Sequence, residues 1–306
     1  MKKTGRDGLQ RAVRQISGVP VTAYDADGEI DLALSARIAR EIGEAGVLNV
    51  IAAGNTGEFF SLTYEEIRSL TAAVIEQAAP VTHVTAAVGR SLREAVALGR
   101  AAAADGADAV MAHYPGDPFA GPGAKIDYFR ALAEAMEIPV IAYLRSDKAG
   151  VEDLVRLAEH DNIVAIKYAA PNPIRLGEAV RATEHCDTVW VCGLAESWAP
   201  PFQAQGAQGF TSGLVNVFPE ISIAIHAALE AGDYATARAQ IDRIVEFEQL
   251  RTLFDNGTNV TVVKEALEMI GTAVGPVRLP GVPRLPAADR ARLAQIVRDV
   301  REAHAS

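Results

Sequence analysis

The amino-acid sequence predicts an α/β fold, a closed (β/α)8 TIM barrel with a C-terminal helical extension. Short apolar runs alternate with helical patterns eight times between Gly18 and Gly213. The connections between them are short, which implies parallel strands joined by right-handed crossovers. The rival arrangement, an open doubly wound sheet, normally carries a Gly-x-Gly-x-x-Gly turn after its first strand, and this chain has none there. A closed barrel is therefore the simplest arrangement.

Each element of this barrel has its own local signal. The predicted strands are the apolar runs at residues 19–24, 47–53, 81–88, 107–113, 139–143, 163–168, 188–192 and 207–211. The helices between them are predicted at residues 31–45, from 63 onwards, and at 91–104, 126–136, 151–158, 174–185 and 196–205. Two of these helices open at capping-box sequences, Thr63–Glu66 and Ser91–Glu94, in which the hydroxyl and the carboxylate satisfy free N–H groups.

The alternation stops after Gly213, and the rest of the chain reads as helices. These are predicted at residues 221–229, 234–253, 260–270 and 287–303, with a Pro/Gly-rich link at 275–286. The predicted organisation is an N-terminal tail or helix, a barrel and a helical extension, at residues 1–17, 18–216 and 217–306.

Composition excludes several classes of function. Apolar residues make up 49% of the chain, which is enough for a large core. A net charge of −10 disfavours a nucleic-acid partner, since the phosphate backbone would be repelled. Cys186 and Cys192 form no Cys-x-x-Cys pair, so we expect neither a disulfide framework nor a zinc–thiolate site. No signal region or membrane-length apolar run occurs, which predicts a cytoplasmic protein without a membrane partner.

Lys167 is a candidate functional residue because it ends a buried apolar strand. Burial disfavours the charged form of an amine and lowers its pKa. An amine with a lowered pKa can attack a ketone and form a Schiff base. The alternative at this point is a lysine whose stem follows the strand end while its ammonium reaches solvent.

The loop Gly54–Glu58, after the second strand, is a candidate ligand-binding turn. Active sites of parallel barrels lie at the carboxyl ends of the strands, where this loop is expected. Gly54 and Gly57 permit a tight turn, Asn55 and Thr56 offer short polar groups, and exposed N–H groups could bind a carboxylate. The alternative is an ordinary turn, because Asn-Thr-Gly is common turn chemistry.

Other polar residues also follow predicted strands. Tyr143 ends strand five, next to the strand of Lys167, and could relay protons to and from a lysine-bound intermediate. Arg145 follows it, and Ser212 and Gly213 follow strand eight. Glu196, after strand seven, either touches a substrate hydroxyl or serves as an acidic residue in a helix's first turn.

The histidines argue against a metal centre. They are scattered along the chain and show no metal-ligand spacing, and the acidic residues form no recognisable carboxylate cage. Metal-dependent aldol chemistry is thus an open but unsupported alternative. Schiff-base chemistry on Lys167 would require no metal and no organic cofactor, because a protonated imine supplies the electrophile.

Taken together, these motifs resemble the dihydrodipicolinate synthase/N-acetylneuraminate lyase family of Schiff-base aldolases and dehydratases. Gly54–Glu58 resembles the family's G-[TS]-[TS]-G-E carboxylate-binding loop, Tyr143 its strand-five tyrosine and Lys167 its Schiff-base lysine. The segments Val263–Gly271 and Gly275–Pro280 resemble its C-terminal helical region. The resemblance covers nearly the whole chain from Val19.

Within the family the chain is most similar to the 5-dehydro-4-deoxyglucarate dehydratase branch. Gly57–Thr63, Tyr143–Arg145 and Ala195–Glu196 are similar to that branch's G-E-F-F-S-L-T, Y-N-R and A-E segments. The chain departs from the expected residues at Asn55 and at Leu144, and it has Tyr-Ala rather than Asp-Gly after Lys167.

The resemblance to the synthases is less complete. The second tyrosine that the synthases donate across a subunit contact has no counterpart, since Tyr114 is followed by Pro115. Arg145 or Lys148 would stand in for their semialdehyde-binding arginine. Lysine biosynthesis is therefore disfavoured as the pathway.

The resemblance implies a Schiff-base lyase, a dehydratase or aldolase, acting on a 2-keto acid or keto-deoxy sugar acid. It implies Lys167 as the Schiff-base residue, Tyr143 as proton relay and Thr56 as relay or carboxylate ligand. The implied substrate-binding residues are Gly54, Asn55, Gly57, Arg145, Glu196, Ser212 and Gly213. The alternatives are a dihydrodipicolinate synthase-like or other pyruvate-dependent aldolase, and a non-catalytic ligand-binding barrel. The implied partners are a small-molecule substrate and further copies of the chain, in a homotetramer or dimer.

Overall fold

The computed structural model describes residues 5–305 and contains a closed barrel of eight parallel strands. The strands pair in chain order, and β1 closes the ring against β8. Their bounds are β1 Ile16–Gly18, β2 Asn49–Ala52, β3 His83–Val88, β4 Ala109–Ala112, β5 Val140–Leu144, β6 Ile163–Tyr168, β7 Val189–Cys192 and β8 Gly209–Ser212. The predicted fold class is confirmed. The first four residues of the predicted N-terminal tail lie outside the described part.

The first strand was predicted in the wrong place. The run at 19–24 is buried but does not pair as a strand, and β1 lies just before it. Pro20 has no N–H to donate to a ladder. The N–H groups of Val21 and Ala23 donate instead to side-chain oxygens, those of Asn216 and Ser35. Side-chain acceptors therefore satisfy a backbone that the apolar pattern assigned to the sheet.

The helices alternate with the strands as predicted. Their bounds are α1 Arg6–Val13, α2 Leu32–Glu44, α3 Tyr64–Ala78, α4 Leu92–Asp105, α5 Pro122–Ala135, α6 Val151–Ala158, α7 Pro173–Ala182 and α8 Ala199–Gln203. Thr63 and Glu66 form the reciprocal capping box that their spacing predicts. Ser91 caps α4, but the Glu94 carboxylate accepts from the Ser91 hydroxyl rather than from its backbone N–H.

The chain after β8 is helical, with one difference from the prediction. The helices are α9 Pro219–Glu230, α10 Tyr234–Asp242, α11 Val245–Arg251, the single turn α12 Leu253–Asn256, α13 Asn259–Met269 and α14 Ala287–Ala305. The single helix predicted at 234–253 is broken near Ile244. The two halves pack against different neighbours, α10 against α9, and α11 against α13 and α14. The break allows each half to bury its own apolar side chains.

The barrel geometry brings the candidate side chains together. All strand ends that carry them meet at the carboxyl end of the barrel, because the strands are parallel. In the β5–β6 pair, Tyr143 lies directly opposite Lys167. Within the described residues, no helix is long and apolar enough to cross a membrane.

Candidate active site

A cavity of about 530 Å³ opens at the carboxyl end of the barrel. Seven of the ten predicted site residues line it: Asn55, Thr56, Tyr143, Arg145, Lys167, Ser212 and Gly213. The other three, Gly54, Gly57 and Glu196, are buried beside it and do not line it. Lys148, the other basic residue after β5, is exposed and also does not line the cavity. The predicted residues thus converge on one enclosed space.

Lys167 presents its amine to this cavity from a nearly dry position. The side chain is 5% exposed, and its Nζ lies 4.1 Å from the centroid of the Tyr143 ring. Burial, aided by the positive charge of Arg145, lowers the Lys167 pKa from 10.5 to about 7. A large fraction of the amine is therefore neutral and nucleophilic near neutral pH.

Tyr143 is the nearest hydroxyl-bearing ring to that amine. The Tyr143 hydroxyl accepts a hydrogen bond of 3.2 Å from Asn55 Nδ2. This contact leaves the phenolic O–H free to donate toward the cavity. Burial raises the Tyr143 pKa, so the hydroxyl stays protonated at neutral pH and can act as a proton donor.

His113 packs against Tyr143 and does not itself line the cavity. Its ring centroid lies 4.1 Å from that of Phe59 and 5.8 Å from that of Tyr143. Burial, with smaller contributions from Lys167 and Arg145, lowers the His113 pKa to about 3. A neutral imidazole at this position adds no positive charge beside the lysine.

The loop Gly54–Glu58 passes close to the backbone that follows β1. A Cβ atom at Gly54 would lie 2.6 Å from Val19 Cγ1, and one at Gly57 would lie 3.0 Å from the Pro20 carbonyl oxygen. A side chain at either position would collide with the segment that follows β1, so glycine is required at both. Neither glycine lines the cavity. Between them, Thr56 is buried and faces the cavity.

Glu58 fastens this loop to the C-terminal extension. Its carboxylate accepts hydrogen bonds of 2.7 Å from Lys264 Nζ and 2.8 Å from the Arg278 backbone N–H. The Lys264 ammonium also lies 4.1 Å from the centroid of the Tyr24 ring. Lys264 and Glu58 are both almost fully buried. This pair, the Glu58–Lys264 clamp, holds the last residue of the motif away from the cavity.

Glu196 lies behind the cavity wall formed by Ser212. Its Oε1 accepts hydrogen bonds of 2.5 Å from the Ser212 hydroxyl and 2.6 Å from the Ser222 hydroxyl. Burial, with a further contribution from the negative charge of Glu248, raises the Glu196 pKa to about 7. Glu196 therefore orients Ser212, and it reaches the cavity only through that hydroxyl.

The C-terminal helices contribute a wall that the sequence did not predict. Its polar members are Glu248, Gln249, Arg251, Thr252, Asn256 and Asn259. Arg251 is 3% exposed, although it carries a charge. A signal was present, because Arg251 falls seven residues after Ile244 and four after Phe247, on the buried face of its helix. A charged residue on such a face marks a position that needs a partner or a ligand.

The polar side chains of the cavity suit an organic ligand with hydrogen-bonding groups. Within residues 5–305, no group of three His, Cys, Asp or Glu side chains could hold a metal ion. The cavity offers an amine, a phenol, hydroxyls, amides, guanidinium groups and the carboxylate of Glu248. Such groups bind carboxylates and hydroxyls by hydrogen bonds and can transfer protons.

Comparison with known proteins adds a family relationship. Residues 12–299 match the model of the dihydrodipicolinate synthetase family. A 4-hydroxy-tetrahydrodipicolinate synthase of Exiguobacterium sibiricum is 33% identical over 282 residues, 90% of this chain and 94% of that protein. A protein named probable 5-dehydro-4-deoxyglucarate dehydratase 1, from Streptomyces coelicolor, is 34% identical over 269 residues, 85% of each chain.

Solved structures show the same architecture. The dihydrodipicolinate synthase of Bacillus clausii superposes with a TM-score of 0.91 at 36% identity, over 97% of this chain and 100% of that chain. The corresponding protein of Oceanobacillus iheyensis has a TM-score of 0.93 at 34% identity, with the same shares covered. The likeness therefore extends over the barrel and the C-terminal helices together.

Proposed function

Because the chain belongs to the dihydrodipicolinate synthetase family, and so to the Schiff-base lyases, we propose that it acts on a 2-keto acid of the keto-deoxy sugar acid class. The best candidate reaction is that of a 5-dehydro-4-deoxyglucarate dehydratase. One observation carries the proposal: the Lys167 amine is buried at the cavity, its pKa is lowered to about 7, and the Tyr143 ring lies 4.1 Å away.

The first step is attack of the neutral Lys167 amine on the substrate's C2 ketone. The resulting carbinolamine loses water when Tyr143 donates its proton to the departing hydroxyl. The product is a protonated imine, which withdraws electrons from the neighbouring carbon and so serves as the electron sink. Thr56 and the backbone of its loop hold the C1 carboxylate and orient the ketone toward the amine.

The second step distinguishes a dehydratase from an aldolase. The Tyr143 phenolate left by the first step takes a proton from C3, which forms an enamine. The enamine expels the C4 hydroxyl, which receives that proton and leaves as water, and a second water molecule hydrolyses the conjugated imine to release the product and free Lys167. The proton taken from C3 is thus the proton that the C4 hydroxyl needs in order to leave as water.

A second candidate is a pyruvate-dependent aldolase of the synthase type. The similarity to the synthases of Bacillus clausii and Exiguobacterium sibiricum favours it. In that reaction the enamine attacks an aldehyde and forms a carbon–carbon bond instead of expelling hydroxide. The same Lys167, Tyr143 and Thr56 would serve both reactions.

Borohydride trapping tests the Schiff base. The protein is incubated with pyruvate and sodium borohydride, digested, and examined by mass spectrometry for a reduced adduct on Lys167. We expect a single adduct on Lys167, and none on the protein with Lys167→Arg. An unmodified Lys167 across a panel of 2-keto acids would contradict the mechanism and favour a non-catalytic ligand-binding barrel.

A substrate panel then separates the two reactions. Keto-deoxy sugar acids are incubated with the protein, pyruvate and carbon dioxide are measured, and mass spectrometry detects a product that has lost one water molecule. Loss of water, with or without carbon dioxide, and without pyruvate supports the dehydratase. Pyruvate release supports the aldolase and contradicts the dehydratase assignment.

We also propose that the protein is a cytoplasmic homo-oligomer, a tetramer or dimer. The similarity of the whole chain to its relatives supports an assembly, and the free thiols of Cys186 and Cys192 support a reducing compartment. Light scattering on the purified protein tests the assembly; a monomer at micromolar concentration would contradict it.

A further inference from the structure

Thr56 and Arg251 approach Gly213 from two sides at the cavity, and we call the space between these two side chains the corridor. A Cβ atom at Gly213 would lie 2.8 Å from Arg251 Nη2 and 3.3 Å from Thr56 Oγ1. The guanidinium nitrogen and the threonine hydroxyl are thus no more than about 6 Å apart, with only the glycine between them. The backbone of Gly213 is in the right-handed region, so its lack of a side chain serves space rather than conformation.

Arg251 still has donors to offer in this corridor. A guanidinium carries five N–H groups. Among the described residues, Nε donates to the Asn259 carbonyl oxygen, Nη1 to Glu248 at 2.8 Å, and Nη2 to Asn259 Oδ1 at 3.0 Å. One N–H on each of Nη1 and Nη2 is left, and the residue lines the cavity.

We propose that Arg251 is a substrate-binding residue that closes the carboxylate site from the C-terminal extension. The C1 carboxylate would lie between Thr56 and Arg251, which both line the cavity, and would accept a hydrogen bond of about 2.8 Å from each side. The loop supplies only neutral donors, whereas Arg251 supplies a positive charge. This inference rests on the proposed function, because it takes a 2-keto acid as the ligand.

Two neighbouring polar residues fit this role, one acidic and one an amide. Glu248 and Asn259 hold the guanidinium plane in place, so little side-chain freedom is lost on binding. Glu248 also neutralises part of the charge and competes with the substrate for it. Removing the Glu248 charge should therefore strengthen carboxylate binding, whereas removing the Arg251 charge should weaken it.

Trapping with paired ketones tests the proposal. Pyruvate and pyruvamide carry the same ketone, but only pyruvate carries a carboxylate. Half-saturating concentrations for adduct formation on Lys167 are measured for the full-length wild-type protein and for Arg251→Gln. We expect the pyruvate value to rise about 10- to 100-fold in R251Q and the pyruvamide value to change less than about threefold.

Glu248→Gln is the matched variant, and it carries the test if R251Q does not fold. It leaves the guanidinium in place, and we expect its half-saturating pyruvate concentration to fall about two- to fivefold. Equal changes for both ketones in R251Q, no change for either, or a rise for pyruvate in E248Q would overturn the role of Arg251. Absence of any adduct in the wild-type protein would instead overturn the proposed function itself.

Discussion

At the scale of single residues, the electrostatic state of Lys167 couples reactivity to stability. The amine is almost fully buried, so its charged form is poorly hydrated. The cation–π contact with the Tyr143 ring compensates only part of the lost hydration energy. The Lys167 pKa is lowered chiefly because of that loss, and the positive charge of Arg145 lowers it further. The protein therefore bears a cost at Lys167 that an ordinary core residue would not impose.

Replacing Lys167 by Met should stabilise the protein in a pH-dependent way. The folded-state pKa is about 7 and the unfolded-state value is ordinary, so between these values the unfolded chain binds more protons. The free energy of unfolding of the wild type therefore rises with pH in this window, and the cost of burial is fully present below it. We expect K167M to gain about 2–4 kcal/mol at pH 6.5, with the gain shrinking toward pH 10.

Urea unfolding of both proteins across this range measures the effect. Lys148→Met is the control, because Lys148 is exposed and should give no pH-dependent gain. A gain for K167M that is the same at every pH would contradict a buried titrating amine.

The Tyr143 hydroxyl gives a second prediction at this scale. Tyr143→Phe keeps the ring beside the ammonium and removes the proton donor, so turnover should fall about 10²- to 10⁴-fold while Lys167 still forms an adduct slowly. Tyr168→Phe is the matched control. Tyr168 is the next strand residue after Lys167, is fully buried, and packs against Trp190. Equal turnover losses in Y143F and Y168F, measured in the same steady-state assay, would rule out a specific proton role.

At the scale of elements, the loop Gly54–Glu58 depends on contacts with the C-terminal helices. Glu58, the last residue of the loop, adopts a left-handed backbone conformation with φ of 62°. The Glu58–Lys264 clamp ties this strained residue to α13. The loop after β2 is thus held by an element about 200 positions later in the chain, and this contact restrains a short polar turn.

Breaking one side of the clamp should be costly. Lys264→Met leaves the Glu58 carboxylate buried without its cation, and we expect a loss of about 3–5 kcal/mol in the free energy of unfolding. The double variant Glu58→Gln with Lys264→Met should recover part of that loss, since no charge remains unpaired. Arg238→Ala removes an exposed ion pair with Asp242 and should cost less than about 1 kcal/mol. A K264M protein as stable as R238A in urea unfolding would refute the clamp.

At the scale of the whole molecule, the fold depends on the pairing of β8 with β1, which closes the barrel. β8 pairs with β1. Gly209, the first residue of β8, allows the turn that precedes β1 to lie against it. A Cβ atom at Gly209 would lie 2.4 Å from the carbonyl oxygens of Val13 and Gln15. Those atoms are backbone and have little freedom to move. Closure therefore depends on one position without a side chain.

Gly209→Ala should destabilise the fold as a whole. We expect a loss of at least about 3 kcal/mol in the free energy of unfolding, because overpacking against rigid backbone separates β8 from β1. Gly123→Ala is the control, since the nearest side-chain atoms would lie 3.8 Å from its Cβ and alanine favours its helix. Thermal and urea unfolding of both variants measure the effect; a G209A protein as stable as G123A would contradict this account of closure.

The sequence by itself determined the barrel, and it indicated the site to a large extent. The alternating apolar runs and helical patterns are local signals, and the parallel topology that they imply brings strand ends to one rim. Seven of the ten predicted site residues line the cavity for that reason, Lys167 and Tyr143 among them. The sequence also predicted hydrogen bonds between neighbouring residues, such as those of the Thr63 capping box.

Only the tertiary structure decided which polar groups meet across the chain. Arg251 faces Thr56, Glu58 pairs with Lys264, and the first strand ends at Gly18. Each depends on contacts between residues far apart in sequence, which periodicity does not encode. The placement of Glu196 behind Ser212 is of the same kind. Spacing predicts what a residue does for its own helix or strand, whereas burial and charge partners are properties of the packed molecule.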